Sequence, residues 1–374
     1  MLVLHPSDEL YGADRVLLVV LAAIRDCVEP IVVLPRDVEP GPLGAALARD
    51  GVRVVRIRMP VLRRRYLGPV GILQLAVGSL VGLIGLVRIG RENRVVAVHT
   101  NTGVIPIGPP VAWLLKVPHV WHLHEILDRP RLIGHVVGAL TRFHTGRVVA
   151  ISRAVADSLE SAGGRVTDVW RNPAPDVAAA TPLPWESPVV LMAGRVNGSK
   201  GHDVFVRAAA QLHRRHPEVV FRIVGGSVPG RTRPYELLQQ EVLGLDPDGE
   251  WLQFGGWSDD MPAEIQRALV VVVPSTGPEA LNITALEAMA RGRVVIASSS
   301  GGLPEVVVHD VTGLLTQPGD SGALADAIER VLNGRGSADR LARAGRERAR
   351  KEFSAAEYAE RWRALYREIV HADG

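Results

Sequence analysis

Four charged side chains lie in segments that otherwise look like turns or buried helix, so they are candidates for ligand binding. Two of them, Arg195 and Lys200, lie in a glycine-rich stretch, 194–201, between a predicted strand and a helical pattern. Two cations in such a turn suit an anion, because the loop leads into a helix N-terminus, whose N–H groups favour negative charge. The alternative is an ordinary surface turn, but the chain contains only three lysines, which gives Lys200 more weight.

The other two, Glu279 and Glu287, lie on either side of a predicted helix start. Asn282 is a good N-cap residue and Gly292 a good helix stop, so a helix of about nine residues should begin at Ile283. Its first N–H groups would face the loop after a strand, where open α/β sheets bind ligands. The carboxylate of Glu287 lies in an apolar run and needs a partner or a ligand hydroxyl. The alternative is that Glu287 pairs with an arginine and Glu279 is simply exposed.

In the first half, His122 and His124 alternate along an apolar strand. This spacing could suit a metal, but no cluster of further ligands lies nearby in the sequence, so no metal site is predicted. Asn101 and Thr102 follow the preceding strand and could line the same region. The alternative for His124 is a hydrogen-bonded histidine at a strand end.

Short apolar runs alternate with helical patterns along the whole chain. The predicted strands are 2–4, 31–34, 52–57, 95–99, 119–122 and 148–151, then 189–193, 219–224, 251–254, 269–273 and 294–297. Strands that alternate with helices indicate a parallel sheet covered on both faces. Residues 172–188 contain five prolines, which exclude regular structure and indicate a linker. The sequence therefore predicts an α/β fold with two doubly wound halves.

The residues around Glu279 also carry a resemblance to a known family. Glu279 and Glu287 match the E-x7-E motif of the family 4 retaining glycosyltransferases, and residues 287–292 and 301–305 continue the likeness. Residues 194–201 resemble that family's phosphate-binding loop, and 11–15 resemble its N-terminal Gly-Gly-Ala-Glu-Arg. The resemblance implies the GT-B fold, in which two Rossmann-like domains face a cleft. Residues 1–175 would bind the acceptor and 186–354 the nucleotide-sugar, and a C-terminal helix within 355–374 would cross back to the first domain.

The resemblance also implies roles for individual residues. Arg195 and Lys200 would hold the donor diphosphate, Glu287 the ribose hydroxyls and Glu279 the donor sugar, while His124 would contact the donor sugar or the acceptor. The remaining donor-binding positions would be Gly12, Gly194, Leu281, Asn282 and Ile283. Asn282 and Tyr11 stand where the family usually has glycine, which leaves the contacts at these two positions open.

An apolar stretch, 66–87, contains no charged side chain and is long enough to span a bilayer. Arg63, Arg64 and Arg65 precede it and Arg88 follows it. Spanning would separate predicted strands that belong to one sheet, so two other interpretations are favoured. Either the stretch is a helix buried against the sheet, or it lies in the membrane surface while the three arginines contact anionic lipid.

The amino-acid composition excludes several other classes of protein. The 374 residues include 43 basic and 40 acidic side chains, for a net charge of +3, too mild to indicate nucleic-acid binding. Cys27 is the single cysteine, so the chain has no internal disulfide and no cysteine-based zinc site, which suits a cytosolic protein. The first residues lack the basic region of a secretory signal, so export is not expected.

Residues and resemblance together imply a retaining, metal-independent hexosyl- or related glycosyltransferase without a cofactor. It would transfer a sugar from a nucleotide-sugar, with UDP favoured only as the more usual case, to a saccharide or lipid-linked acceptor. The setting would be cell-envelope polysaccharide or glycolipid assembly, in the cytoplasm or peripherally on the inner face of the cell membrane. The alternatives are a sugar-nucleotide epimerase of the same architecture and a non-catalytic membrane-associated binding module.

Overall fold

The computed structural model describes residues 1–62, 68–128, 130–143, 146–227 and 232–372. The chain divides into two compact units: unit 1 comprises Met1–Asn172 and Ala356–Gly374, and unit 2 comprises Pro173–Ala355. Each unit is built on one sheet whose paired strands are all parallel. The predicted α/β class with two doubly wound halves is confirmed.

Unit 1 begins with alternating strands and helices. Its strands are β1 (Leu2–Leu4), β2 (Ile31–Pro35), β3 (Arg53–Ile57), β4 (Val98–Thr100), β5 (His119–Leu123), β6 (Arg147–Ala150) and β7 (Asp168–Val169). Its helices are α1 (Gly12–Ile24), α2 (Pro42–Arg49), α3 (Pro69–Glu92), α4 (Gly108–Leu115), α5 (Arg131–Thr141) and α6 (Arg153–Ser161). The strand order is β3-β2-β1-β4-β5-β6-β7, so the chain reverses its direction across the sheet between β3 and β4.

Unit 2 repeats this plan with one strand fewer. Its strands are β8 (Val189–Ala193), β9 (Val220–Val224), β10 (Leu252–Gly256), β11 (Val270–Val273), β12 (Val294–Ser298) and β13 (Leu314–Thr316). Its helices are α7 (His202–His213), α8 (Arg233–Leu245), α9 (Met261–Arg267), α10 (Ile283–Ala290), α11 (Leu303–Val306), α12 (Ser321–Asn333) and α13 (Arg335–Glu352). The strand order is β10-β9-β8-β11-β12-β13.

The last helix, α14 (Ala355–Ala372), packs on unit 1, as the fold prediction required. Trp362 is fully buried, and its ring lies 5.3 Å from that of His99 and 4.8 Å from those of His122 and Trp170. Tyr366 donates or accepts a 2.7 Å hydrogen bond with Nδ1 of His99. Burial of these large aromatic side chains stabilises the helix on the sheet of unit 1.

The proline-rich segment has no regular structure, as expected, but it is fixed onto unit 2. The guanidinium of the buried Arg293 donates to the carbonyl oxygens of Thr181 and Pro182. That of Arg346 donates to the carbonyls of Val177 and Ala178. Five guanidinium N–H groups on each arginine can satisfy backbone that forms no ladder of its own.

Helix α3 carries the apolar stretch, and only some of its apolar side chains are buried. Leu86 and Val87 belong to the core of unit 1, whereas Leu73, Leu80 and Ile84 are exposed. The interpretation as a helix buried against the sheet is therefore right for only part of the surface of α3. By length and composition alone the helix could cross a membrane, but β3 and β4, which it joins, lie in one continuous sheet.

Candidate functional site

Three loops of unit 2 meet beyond the carboxyl ends of β8, β11 and β12, which are neighbours in the sheet. The backbone N–H of Thr276 donates to the carbonyl of Ser199 at 2.9 Å, which joins the first two loops. Gly201 has a φ of 77°, and a Cβ there would overlap the carbonyl of Pro274. Because only glycine fits this approach, the loop that carries Lys200 is held against the end of β11.

Lys200 and Glu279 form the centre of this region. The ammonium of Lys200 lies 2.7 Å from Oε1 and 3.0 Å from Oε2 of Glu279. The hydroxyl of Ser275 donates to Oε1 of Glu279 at 2.6 Å. An ammonium has three protons, so Lys200 keeps donor capacity for a further oxygen.

The carboxyl of Glu279 is held in its charged form. Burial by itself would raise the pKa of Glu279, but the ammonium of Lys200 and hydrogen bonds from Lys200, Ser275 and Asn282 together lower it below its usual value. A buried carboxylate with these partners is ionised at neutral pH. The site therefore combines a fixed negative charge with an adjacent cation.

Helix α10 begins at Ile283, as predicted. Oδ1 of Asn282 accepts the N–H of Ala285 at 3.0 Å, which is the expected N-cap bond. The chain leaves the helix through Gly292, whose φ is 66°. The first turn of the helix therefore starts four residues after Glu279 in the sequence, in the loop after β11, where its N–H groups and dipole favour an anion.

The loop after β12 completes the arrangement. Gly301 has a φ of 57° and lies against the backbone of Glu279, where a Cβ would overlap. The N–H of Gly302 donates to the carbonyl of Glu279 at 2.7 Å. Gly301 therefore allows the third loop to approach and fix the backbone of Glu279.

The other predicted donor-binding residues of unit 2 lie in the same loops and helix. Gly194 and Arg195 follow β8 directly, and both are half-buried. Leu281 is buried in the loop before α10. Glu287 is half-buried and lies just over one turn into α10.

In unit 1, polar side chains follow three neighbouring strands and form one hydrogen-bonded network. His5, Asn101 and His124 come directly after β1, β4 and β5. Nδ2 of Asn101 lies 3.1 Å from Nδ1 of His5, and its Oδ1 lies 3.0 Å from Nδ1 of His122 and 3.1 Å from Nε2 of His124. Asp14 closes the network at 2.7 Å from Nε2 of His5.

The charge of Asp14 fixes the direction of the hydrogen bonds at one end of this network. Asp14 is ionised because, against the effect of burial, its bonds with His5, Ser7 and the N–H of Tyr11 lower its pKa. It therefore accepts a hydrogen bond from Nε2–H of His5, and Nδ1 of His5 accepts one from the amide of Asn101. Oδ1 of Asn101 can accept from Nδ1 of His122 and from Nε2 of His124, and these two nitrogens lie 3.2 Å apart. Nδ1 of His124 is a buried polar atom that bonds to no other described atom.

Burial keeps His99, His122 and His124 neutral. It lowers the pKa of His124 to about 3 and that of His99 to about 4, and the neighbouring imidazoles act in the same direction. The pKa of His122 also falls well below its usual value, first through burial and then through His124 and His99. A neutral His124 suits contact with a hydroxyl better than contact with a phosphate.

Gly12 is the first residue of α1, and Tyr11 is its N-cap residue. The N–H of Tyr11 donates to Oδ2 of Asp14 at 2.8 Å. The segment that resembles the family's N-terminal motif thus forms a helix start whose acidic residue belongs to the histidine network. Arg63, Arg64 and Arg65, predicted to contact the membrane, lie outside the described residues.

Sequence reasoning missed three members of these clusters. No sequence motif marks His5, Ser7 or Ser275. Each follows a buried strand within three residues, which is the signal that could have found them. In the described part of the chain no group of three or more His, Cys, Asp or Glu side chains is arranged to hold a metal ion.

Comparison with known proteins finds similarity to glycosyltransferases. Residues 176–348 match the family model described as glycosyl transferases group 1. The D-inositol 3-phosphate glycosyltransferase of Saccharomonospora viridis is 36% identical over 200 residues, which cover 52% of this chain and 46% of that protein. The lipopolysaccharide 1,2-N-acetylglucosaminetransferase of Salmonella typhimurium is 31% identical over 43% of this chain and 44% of its own length. These matches support a glycosyltransferase, although the chain spans less than half the length of these curated relatives.

Solved structures extend the likeness to almost the whole chain. The structure of Anabaena Alr3699/HepE in complex with UDP and glucose has a TM-score of 0.82 and 24% identity, and covers 97% of this chain and 98% of its own. Sucrose-phosphate synthase from Thermosynechococcus elongatus has a TM-score of 0.79 and 22% identity, and covers 99% of each chain. The predicted GT-B fold is thereby confirmed, with two Rossmann-like domains and a C-terminal helix on the first.

Proposed function

We propose that this protein is a retaining glycosyltransferase of family 4 that transfers a hexosyl or related group from a nucleotide-sugar to an acceptor hydroxyl. The observation that carries the proposal is the Lys200–Glu279 pair beside the start of α10, at the carboxyl ends of β8 and β11. The group 1 match over residues 176–348 supports it, because this pair and α10 lie within that range.

The chemical argument concerns the leaving group. When the bond between the sugar and the diphosphate breaks, negative charge grows on the bridging oxygen. Arg195, the remaining donor capacity of Lys200 and the N-terminus of α10 would stabilise that charge more in the transition state than in the ground state. Protein cations and backbone dipoles would then neutralise the leaving group without a metal ion.

The remaining donor contacts follow from the position of each residue. Glu287, one turn into α10, would accept hydrogen bonds from the ribose hydroxyls, and Glu279 would contact the transferred sugar. The backbone at Gly194 and at Leu281, Asn282 and Ile283 would approach the phosphates. Uridine is the nucleoside we propose, in line with the UDP complex of the HepE neighbour.

In unit 1, we assign His124 to the substrate hydroxyls and Gly12 to a close backbone contact. The unpartnered Nδ1 of His124 supports its assignment, because a buried polar atom without a partner is costly unless a ligand bonds to it. The acceptor would be a saccharide or a lipid-linked sugar of the cell envelope. The protein would then work in the cytoplasm or on the inner face of the cell membrane.

The test is binding and transfer with purified protein. UDP should raise the thermal midpoint more than GDP or ADP, since a ligand that binds only the folded state stabilises it. Lys200→Ala should keep the fold and lose at least roughly tenfold in the transfer rate, because a charge-assisted hydrogen bond is worth about 1.5–3 kcal/mol. Lys351→Ala is the matched control, since Lys351 is exposed and paired with Glu347.

Proton NMR of the first product should show the anomeric configuration of the donor. Normal transfer by both Lys200→Ala and Glu279→Ala would refute the assigned site. Conversion of the donor without any acceptor would indicate an epimerase instead.

A further inference from the structure

Unit 1 carries an apolar surface, formed by exposed side chains of α3, α4 and α5. On α3 these are Leu73, Val77, Leu80, Val81 and Ile84, and Leu73 and Ile84 are 66% and 62% exposed. Their spacing of three or four residues places them along one side of the helix. The opposite side of the helix holds the buried positions Gly78, Gly82 and Leu86. We call the five exposed side chains the α3 stripe.

Neighbouring helices continue this surface. Trp113 on α4 is 54% exposed and Leu132 on α5 is 68% exposed. The ring of Trp113 contacts that of Phe143, which follows α5, at 6.1 Å between centroids. From β3 the chain passes to β4, β5 and β6 in one direction across the sheet, so right-handed crossovers place α3, α4 and α5 on the same face. Their exposed side chains therefore point away from one side of the sheet.

The charge of this segment differs from that of the rest of the chain. Residues 58–147 contain 12 arginines and lysines and only 3 acidic side chains. The remainder of the chain has 31 basic and 37 acidic residues. The apolar surface thus lies in the one strongly basic part of the sequence, a combination that suits the interface of an anionic bilayer, where apolar side chains enter the acyl boundary and cations meet the headgroups.

We propose that the face formed by α3, α4 and α5 docks on a bilayer that contains anionic lipid. A second copy of this chain fits less well, because two copies of so basic a segment would repel each other. This proposal rests on the proposed function in one respect, which is that the acceptor is a lipid-linked sugar. It identifies the surface that would bring unit 1 to such a lipid.

The experiment is flotation of the purified protein with vesicles of phosphatidylcholine alone or with added phosphatidylglycerol. The wild-type protein should float with the mixed vesicles, and less with the neutral ones. Val77→Asp/Leu80→Asp should lower the partition coefficient roughly tenfold or more, because each buried leucine-sized side chain contributes over one decade. The matched control is Leu237→Asp/Leu243→Asp on α8 of unit 2, whose side chains are 53% and 52% exposed. It should bind like the wild type.

Circular dichroism should show that both variants fold, since all four side chains are exposed. Should the α3 variant fail to fold, brominated phosphatidylcholine in the mixed vesicles gives a second measurement: it should quench more fluorescence in the wild type than in Trp113→Phe.

Absence of flotation, or equal flotation of the wild type and the α3 variant, would overturn the proposal. So would a wild-type dimer that the α3 substitutions dissociate, because a second copy would then cover the face. If the wild-type protein floats but transfers no sugar, the result contradicts the proposed glycosyltransferase activity and not the membrane docking.

Discussion

The ion pair between Lys200 and Glu279 should be measurable as a coupling free energy. Its distances, 2.7 and 3.0 Å, are those of charge-assisted hydrogen bonds, which contribute about 1.5–3 kcal/mol each. The side chains are 27% and 12% exposed, so solvent screening reduces this value. We therefore expect a coupling of about 1–2 kcal/mol from a double-mutant cycle of Lys200→Ala, Glu279→Ala and both together.

The cycle requires a measurement that reports on unit 2 alone. Hydrogen exchange of peptides that cover β11 and α10, followed by mass spectrometry across a urea series, meets this need. Asp203 and Arg207 on α7 provide the matched control, because their ion pair is similarly short, at 2.8 Å, but its side chains are 57% and 50% exposed. The control coupling should be about 0.3–0.5 kcal/mol.

The coupling should also depend on pH in a defined direction. The pKa of Glu279 in the folded state lies below its usual 4.5, so the unfolded chain binds the proton more readily. The pair's contribution is therefore complete well above pH 4.5 and is lost as the pH falls through the lower folded value. A coupling at pH 7 no larger than that of the control pair would show that Lys200 does not hold Glu279.

Two further predictions concern stability and loop geometry. Burial lowers the pKa of His99 to about 4 and of His124 to about 3, whereas the unfolded residues titrate near 6.5, so unfolding takes up protons as the pH falls below 6.5. Acidification from pH 7 to 5 should lower the free energy of unfolding by about 2 kcal/mol for each of these two histidines. In urea titrations, His124→Gln should reduce the dependence of this free energy on pH. An unchanged pH dependence would contradict a buried, neutral His124. Gly201→Ala should weaken UDP binding several-fold in thermal-shift titrations, because its Cβ would overlap Pro274 and its φ is 77°. Gly198→Ala, where a Cβ meets nothing within 4 Å, should bind UDP normally, and equal binding by both variants would contradict the geometry.

Most of the fold follows from local signals in the sequence. The apolar runs that predicted the strands are buried on both sides of a parallel sheet, so their hydrophobicity is continuous and easily recognised. Strands β7 and β13 were missed because they are short, with two and three residues, and lie at sheet edges. The strand predicted at 95–99 forms at Val98–Thr100, because apolar residues alone do not fix where pairing with β1 begins.

The candidate site was predictable to the extent that single residues carry the signal. The N-cap at Asn282 fixed the start of α10, since it depends on one side chain and its nearest amides. The pairing of Lys200 with Glu279 joins residues far apart in the sequence, and only the register of β8 beside β11 brings them together. The histidine network has the same origin, because His5, Asn101 and His124 become neighbours only through the order of β1, β4 and β5.

Asn282 shows how a departure from a family pattern acquires a physical explanation. A glycine there would offer backbone alone, whereas Asn282 caps α10 through Oδ1 and also donates to Glu279. One side chain therefore connects the helix N-terminus, where an anion is favoured, to the carboxylate that Lys200 neutralises. A ligand phosphate that attracted Lys200 would loosen its hold on Glu279, while Asn282 and Ser275 would still keep that carboxylate in place. The carboxylate of Glu279 would therefore stay hydrogen-bonded if Lys200 turned to the diphosphate that we propose as its ligand.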